Sequence, residues 1–205
     1  MIKIALLDAD GVVIEARKRF FSERLMADYG ITKEQAMQFV HEVIIPSMTS
    51  QVDVREVLPH YIALWKVPLD VDQLLTYWWN GENTITQEVV KMVDELRANG
   101  VHVYLATDQE KYRAEYIMNE LALNDHFDGA FFSYSLLYSK NEKEYWKLVI
   151  KQLGVNPNEI VFWDDDVKNV EIASESGITS HTYTTVDKLR EEVSEALRET
   201  KLNNQ

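Results

Sequence analysis

The 205-residue chain contains no cysteine, which rules out disulfides, thiolate metal sites and cysteine nucleophiles together and fits a reducing compartment. Four prolines and seven glycines leave little material for linkers or low-complexity segments. Bases are scarce: 21 Lys and Arg stand against 34 Asp and Glu, a formal net charge of -13. Such a surface repels polyanions, so nucleic acid is not an expected partner, and any anion site needs local compensation. No run of about 18 apolar residues occurs, and the N-terminus enters a strand pattern directly. The reading is therefore no membrane segment and a cytoplasmic protein.

What is present is globular: 46% hydrophobic and 27% charged residues, enough for one sizeable core and a smaller lobe. The opening stretch MIKIALLDADGVVI reads as a strand ending at Asp8. Residues 15 to 80 then read as helical throughout. Gly30 would close a first helix, Thr32 to Gln35 forms a capping-box pattern, and further helices fall near 52 to 65 and 70 to 79 before the turn signal Asn80-Gly81. Beyond residue 84 the pattern alternates. A helix at 86 to 98 is followed by the strand VHVYLAT, a helix at about 109 to 122, the apolar run GAFFSYS and a helix at 142 to 153. The strand EIVFW, a helix at 167 to 176, the strand ITSHTY and an acidic helix from about 186 complete the chain. Strands alternating with helices predict a parallel sheet covered on both faces, a Rossmann-like α/β core formed by residues 1 to 14 and 82 to 205. Residues 15 to 81 would be an all-helical insert after the first strand.

In such sheets ligands bind beyond the carboxyl ends of the strands. Three strands end there with polar groups: Asp8, Thr107 and Asp164. Each admits an ordinary explanation. Asp8 and Asp10 are residue types favoured in a turn before Gly11, Asp164 to Asp166 suit a helix start, and Thr107 suits an N-cap. Lys140 would usually be a surface lysine. What these explanations leave out is two acidic clusters at one edge of one sheet, because like charges brought together disfavour ionisation unless a cation joins them. An all-oxygen set suggests Mg²⁺, and a hydroxyl with a lysine beside it is what phosphoryl chemistry uses.

With these residues in hand, the chain resembles the haloacid dehalogenase-like (HAD) hydrolase superfamily, and four motifs appear in order. DADGVV is similar to the first motif, LAT to the second, SYSLLYSK to the segment ending in the third-motif lysine, and FWDDDVKNVEIA to the fourth. The resemblance implies that Asp8 is the nucleophile forming an aspartyl-phosphate and that Asp10 is the general acid and base. It implies that Thr107, Asp108 and Lys140 line the phosphate site, and that Mg²⁺ is held by Asp8, Asp10 through its backbone carbonyl, Asp165 and Asp164. A second aspartate at position 10 favours phosphate over halide chemistry. The helical insert matches the position of the family's cap. The implied function is a Mg²⁺-dependent phosphatase of a small phosphorylated metabolite, with a phosphomutase of sugar phosphates or a non-catalytic phospho-ligand binder as alternatives. Two positions depart from the family pattern: Asn141 replaces a common proline, and Asp108 stands where a neutral residue is frequent. Arg17, Lys18 and Arg19 could meet a charged part of the substrate, although a solvated face is the commoner state. Tyr77, Trp78 and Trp79 read chiefly as packing within the helical region.

Overall fold

The computed structural model describes residues 1 to 202, the last four by their backbone alone. In chain order its elements are β1 (Ile4–Leu7), α1 (Phe21–Tyr29), α2 (Lys33–Phe39), α3 (Ile45–Ser47), α4 (Val54–Trp65), α5 (Val71–Trp79), α6 (Gln87–Ala98), β2 (His102–Thr107), α7 (Lys111–Asn119), β3 (Gly129–Phe132), α8 (Ser133–Leu136), α9 (Lys143–Leu153), β4 (Ile160–Asp164), α10 (Val167–Glu175), β5 (Thr179–Thr182) and α11 (Val186–Leu202). The five strands form one parallel sheet in the order β3-β2-β1-β4-β5. After β1 the chain winds outward through β2 and β3, then returns to the other side of β1 for β4 and β5. The direction of winding therefore reverses between β1 and β4, where a parallel sheet opens a crevice at its carboxyl edge. Leu7 is in register with both Leu105 and Trp163, so the chain leaves β1, β2 and β4 at nearly the same height.

The continuous apolar strands divide their side chains between two faces, as the period of two requires. Ala5, Leu7, Val103, Leu105, Val161 and Trp163 pack with α6 and α11 on one face. Ile4, Leu6, Ala106 and Phe162 pack on the other against Tyr145, Trp146 and Val149 of α9 and Ala173 of α10. A third apolar cluster lies wholly within residues 21 to 78 and includes Phe21, Leu25, Phe39, Leu58 and Leu74. Each such buried leucine or phenylalanine contributes roughly 1.5–3 kcal/mol relative to exposure, which gives the helical lobe a core of its own. Its helices start as the sequence indicates. Gly30 ends α1 at φ 68°, Thr32 and Gln35 form the capping box of α2, and Asp70 caps α5.

Three features depart from the sequence reading. Between α2 and α3 the chain stays helical as read, but it winds as a π-helical turn, Val40–Ile44, rather than an α-helix. β3 ends at Phe132, because the Ser133 hydroxyl accepts a hydrogen bond from the Gln109 amide (3.0 Å) and the chain makes one helical turn there. The helix after β2 begins at Lys111 rather than 109, since Glu110 is its cap, accepting from the amides of Tyr112 (2.8 Å) and Arg113 (2.5 Å). The two connections to the helical lobe run side by side: the Glu15 amide donates to Thr84 O (2.8 Å) and the Thr86 amide to Val13 O (2.9 Å), around a bridge between Ile14 and Ile85. Among the described residues no helix is long and apolar enough to cross a membrane.

Candidate active site

Asp8 follows the central strand and is buried, its amide still paired to Trp163 O (2.9 Å) and its Oδ1 held by the Ala9 amide (2.8 Å). From the neighbouring strand end comes Asp164, fully buried. Between them lies the Lys140 ammonium, 2.7 Å from Asp8 Oδ1 and 2.7 Å from Asp164 Oδ2. A lysine is drawn inside here because its loop is pinned on both sides. The Lys140 amide donates to Asp108 Oδ1 (3.0 Å), Ser139 Oγ to Asp108 Oδ2 (2.5 Å), and the Trp146 indole to Lys140 O (2.7 Å). Both Asp108 carboxylate oxygens are thus occupied in fastening the Lys140 loop to the end of β2. What Asp108 can offer an anion is its backbone N–H, not an acceptor-only carboxylate.

The run Asp164 to Asp166 separates into three tasks. Asp164 accepts from Lys140, from Asn169 Nδ2 (3.1 Å) and from the Asp166 amide (2.8 Å). Asp166 caps α10 through the Lys168 amide (2.8 Å). Asp165 turns toward Asp8, and one carboxylate oxygen from each of Asp8, Asp164 and Asp165 lies within 4.8 Å of the others. Gly11 makes this approach possible. A Cβ there would stand 2.2 Å from Asp165 Oδ2, and its φ of +88° is one that side chains avoid. Crowding is visible in the protonation equilibria. Burial, then the charges of Asp164 and Asp10, push Asp8 up to about 8 against the pull of Lys140. Burial and Asp164 likewise raise Asp165. Burial alone would lower Lys140, but Asp8, Asp164 and Asp108 hold it above the usual lysine range. One ammonium does not balance this cluster, and the oxygen-only donors fit a hard divalent cation such as Mg²⁺. Among the sequence-derived metal positions, Asp8, Asp164 and Asp165 share this cluster, while the Asp10 side chain points elsewhere.

Asp10 Oδ2 accepts from Gln109 Nε2 (3.0 Å) and Arg17 NH2 (3.1 Å), and its Oδ1 from Arg113 NH2 (3.3 Å). Gln109 Nε2 also reaches Thr107 Oγ1 (3.3 Å), tying the buried threonine at the end of β2 to Asp10. Arg17 is therefore no helix-face residue: it lies before α1, turned inward over the ring of Phe20. Lys18 and Arg19 are peripheral to these bonds. Trp78 packs as expected, stacked on Phe21 with centroids 4.9 Å apart, and Tyr77 bonds Asp28. Trp79 packs against the same cluster and also stacks on Tyr116 of α7. Sequence reasoning passed over Gln109, Arg113 and Glu82. Arg113 is buried in α7, donates a short hydrogen bond to Glu82 O, and was separated from its partner Asp10 by a hundred residues. Gln109 carried one usable signal, since a polar residue two positions past a strand end at the carboxyl edge belongs to the same crevice.

These groups line a cleft of about 400 Å³ containing Asp8, Asp10, Thr107, Lys140 and Asp165. It opens beside Asp10 and Arg17 into a smaller chamber of about 220 Å³ beneath the helical lobe.

Comparison with known proteins agrees with this arrangement. The chain is 22% identical over 185 residues to the GMP/IMP nucleotidase YrfG of Escherichia coli, covering 86% of this chain and 80% of that protein. It is 22% identical over 186 residues to a phosphorylated carbohydrates phosphatase of Thermotoga maritima, covering 86% and 82%. A solved HAD family enzyme from Bacteroides thetaiotaomicron, in complex with magnesium and inorganic phosphate, superposes with a TM-score of 0.76 at 21% identity, covering 90% of this chain and 95% of that one. The model of the haloacid dehalogenase-like hydrolases matches residues 2 to 177, nearly the whole span that builds the sheet and the crevice, and the chain belongs to that family.

Proposed function

We propose that the protein is a Mg²⁺-dependent phosphomonoesterase acting on a small phosphorylated metabolite, with residues 15 to 81 as a cap over its site. The observation that carries this reading is Lys140 held between Asp8 and Asp164, with Asp165 clustered beside them and a second carboxylate, Asp10, two residues along from Asp8 and oriented by three donors. The E. coli and T. maritima relatives are a nucleotidase and a carbohydrate phosphatase, which share a phosphomonoester bond as their target.

In the proposed reaction an Asp8 carboxylate oxygen attacks phosphorus as the bond to the leaving oxygen breaks, giving an aspartyl-phosphate. Asp10, protonated, delivers its proton to the departing alkoxide. The resulting Asp10 carboxylate then takes a proton from water as that water attacks the same phosphorus, releasing inorganic phosphate and restoring Asp8. Thr107 Oγ, the Asp108 N–H and the Lys140 ammonium would be the donors to phosphoryl oxygens. Mg²⁺ held by Asp8, Asp164, Asp165 and the Asp10 carbonyl would neutralise the acids and offset charge on the phosphoryl group. Gln109, Arg17 and Arg113 keep Asp10 aimed away from the metal cluster, so that the two aspartates do different work.

Phosphate release from an aryl phosphate and a metabolite panel, with Mg²⁺ and with chelator, tests the reading. Hydrolysis that needs Mg²⁺ and disappears in Asp8→Asn is expected. Activity that persists in Asp8→Asn, or is indifferent to chelator, would overturn it.

A further inference from the structure

We infer that Glu82 is a positioning residue for the acid–base step, holding the Arg17 guanidinium on Asp10 and away from a phosphoryl group in the cleft. This deepens the phosphomonoesterase reading and rests on it for the role of Asp10. Arg17 stands at a junction. Its NH2 donates to Asp10 Oδ2 (3.1 Å), its NH1 lies 3.9 Å from Glu82 Oε2, and its side chain lines the cleft that contains Asp8, Thr107 and Lys140. Packing does little to keep it there: the Arg17 side chain is 31% exposed, and the Phe20 ring beneath it, with its centroid 5.3 Å away, is itself 57% exposed. A doubly charged phosphate attracts a guanidinium more strongly than one carboxylate does, and the planar fork of arginine suits phosphate as well as carboxylate. A counter-charge at the other nitrogen of Arg17 opposes that pull, and Glu82 supplies it.

The Glu82 carboxylate has little other use. It lies in the connection that returns from the helical lobe and is buried. Its backbone is engaged, the amide donating to Trp79 O (2.8 Å) and the carbonyl accepting from Arg113 NH2, which also reaches Asp10 Oδ1. Its side chain is less so: Oε1 is enclosed without a hydrogen-bond partner, and among the described residues its one ion pair is with Arg17. Burying a carboxylate with an unmet oxygen is costly, so a connection residue serving only to pack would be better apolar. The electrostatics agree with the geometry. Burial raises the Glu82 carboxyl, Arg17 opposes this more than any other group, Asp10 raises it again, and Arg113 and Arg24 oppose less strongly. Asp10 and Glu82 thus act on one guanidinium from two nitrogens. Without the Glu82 charge, Arg17 follows the phosphate. Substrate and product then gain a cation, while Asp10 loses one of its three donors and the alignment to deliver a proton to the departing oxygen.

Steady-state kinetics of Glu82→Gln with two substrates of similar shape tests this. 4-Nitrophenyl phosphate releases a stabilised phenolate that needs little protonation, whereas phenyl phosphate releases a more basic oxygen that does. A positioned acid contributes on the order of 10²–10⁴-fold. Partial misalignment is therefore expected to lower kcat/KM at least about tenfold for phenyl phosphate, with a change of less than about threefold for 4-nitrophenyl phosphate. Inhibition by inorganic phosphate is expected to tighten at least about threefold, because Arg17 is released to it. A residue that served only the fold would weaken both substrates alike and loosen phosphate. In Arg17→Gln, which has no guanidinium to hold, adding Glu82→Gln should leave the ratio of the two substrates unchanged. Glu82→Asp, which draws the charge one methylene back from Arg17, should show the same selective loss and serves if Glu82→Gln fails to melt cooperatively. Equal losses on both substrates, inorganic phosphate bound no more tightly, or a further change of ratio in the double variant would overturn the assignment. Absence of phosphate release by the parent protein would remove the phosphatase reading and this assignment with it, whereas an active Glu82→Gln that treats both substrates alike removes the assignment alone.

Discussion

Replacing Gly11 by alanine separates the fold from the carboxylate cluster of Asp8, Asp164 and Asp165. The added Cβ would lie 2.2 Å from Asp165 Oδ2, 2.5 Å from its Cγ and 2.9 Å from Oδ1, so Asp165 must move. Its carboxylate ends an exposed side chain that can rotate into solvent, which makes relief of the clash inexpensive for the fold. The remaining cost is the φ of +88° at a residue that now has a side chain, about 1–2 kcal/mol. At roughly 2–4 °C per kcal/mol for a chain of this size, melting without metal should fall by roughly 2–8 °C. The larger effect should appear on adding Mg²⁺, because one of three clustered carboxylates has been displaced. Losing a group that shapes a metal site costs roughly 10- to 100-fold in affinity. Stabilisation by ligand follows RT ln(1 + [Mg²⁺]/Kd), so the rise of melting temperature with MgCl₂ should shift to concentrations higher by that factor. Asp165→Asn, which keeps the glycine, should reproduce the shift without the loss of metal-free stability. If Gly11→Ala lowers the melting temperature yet leaves the Mg²⁺ dependence of the parent protein intact, the claim that Gly11 exists to admit Asp165 is wrong.

Lys140→Met leaves Asp8 and Asp164 buried together with no ammonium between them. Breaking a buried pair in this way costs on the order of 3–5 kcal/mol, and urea midpoints should show that loss with chelator and a partial recovery with Mg²⁺. Asp108→Ala frees Ser139 Oγ and the Lys140 amide, so phosphate release should fall at saturating substrate even though the variant is less acidic, as steady-state kinetics would reveal. Glu110 gives a pH effect of definite sign. Burial raises it to about 7 despite the opposing amides of Tyr112 and Arg113, whereas in the unfolded chain it titrates near 4.5. The unfolded state therefore loses this proton first as pH rises. Its contribution to stability is greatest below 4.5 and declines by on the order of 3 kcal/mol up to pH 7, then stays level. Subtracting the denaturation curve of Glu110→Gln from that of the parent protein should isolate the decline, and a difference that is flat across this window would count against a buried, protonated Glu110.

Much of the scaffold is legible in the order of residues because strands and helices alternate with clear periods, and because Asp8, Thr107 and Asp164 each terminate an apolar strand. Parallel strands then bring their ends together without further information. The electrostatic setting of the site is less legible. Arg113 and Gln109 flank a helix start, Glu82 lies in a linker, and each meets Asp10 or its neighbours only through tertiary packing across 70 to 100 positions. A charged residue shows no local sign that it will be buried by a distant partner. Asp108 illustrates the same limit: its charge beside the proposed phosphate site looks unfavourable until Ser139 and the Lys140 amide are seen to occupy it. The π-helical turn is also silent in sequence, since Val40 to Ile44 continue an ordinary helical pattern.

The paired connections at Val13–Glu15 and Thr84–Thr86 bear on how this protein could be altered. Some seventy residues leave the sheet and return to the same place, where the two backbones already hydrogen-bond to each other. A short turn could therefore join them, and the entropic penalty of closing that gap changes only slowly with the length of chain inserted. Because the excised piece carries its own apolar cluster and the sheet keeps both of its own, a helical lobe from a relative could be spliced at this seam. The strand ends bearing Asp8, Thr107 and Asp164 would be left untouched. If the lobe is the proposed cap, the seam makes the choice of leaving group a transplantable trait, separable from the chemistry at the strand ends.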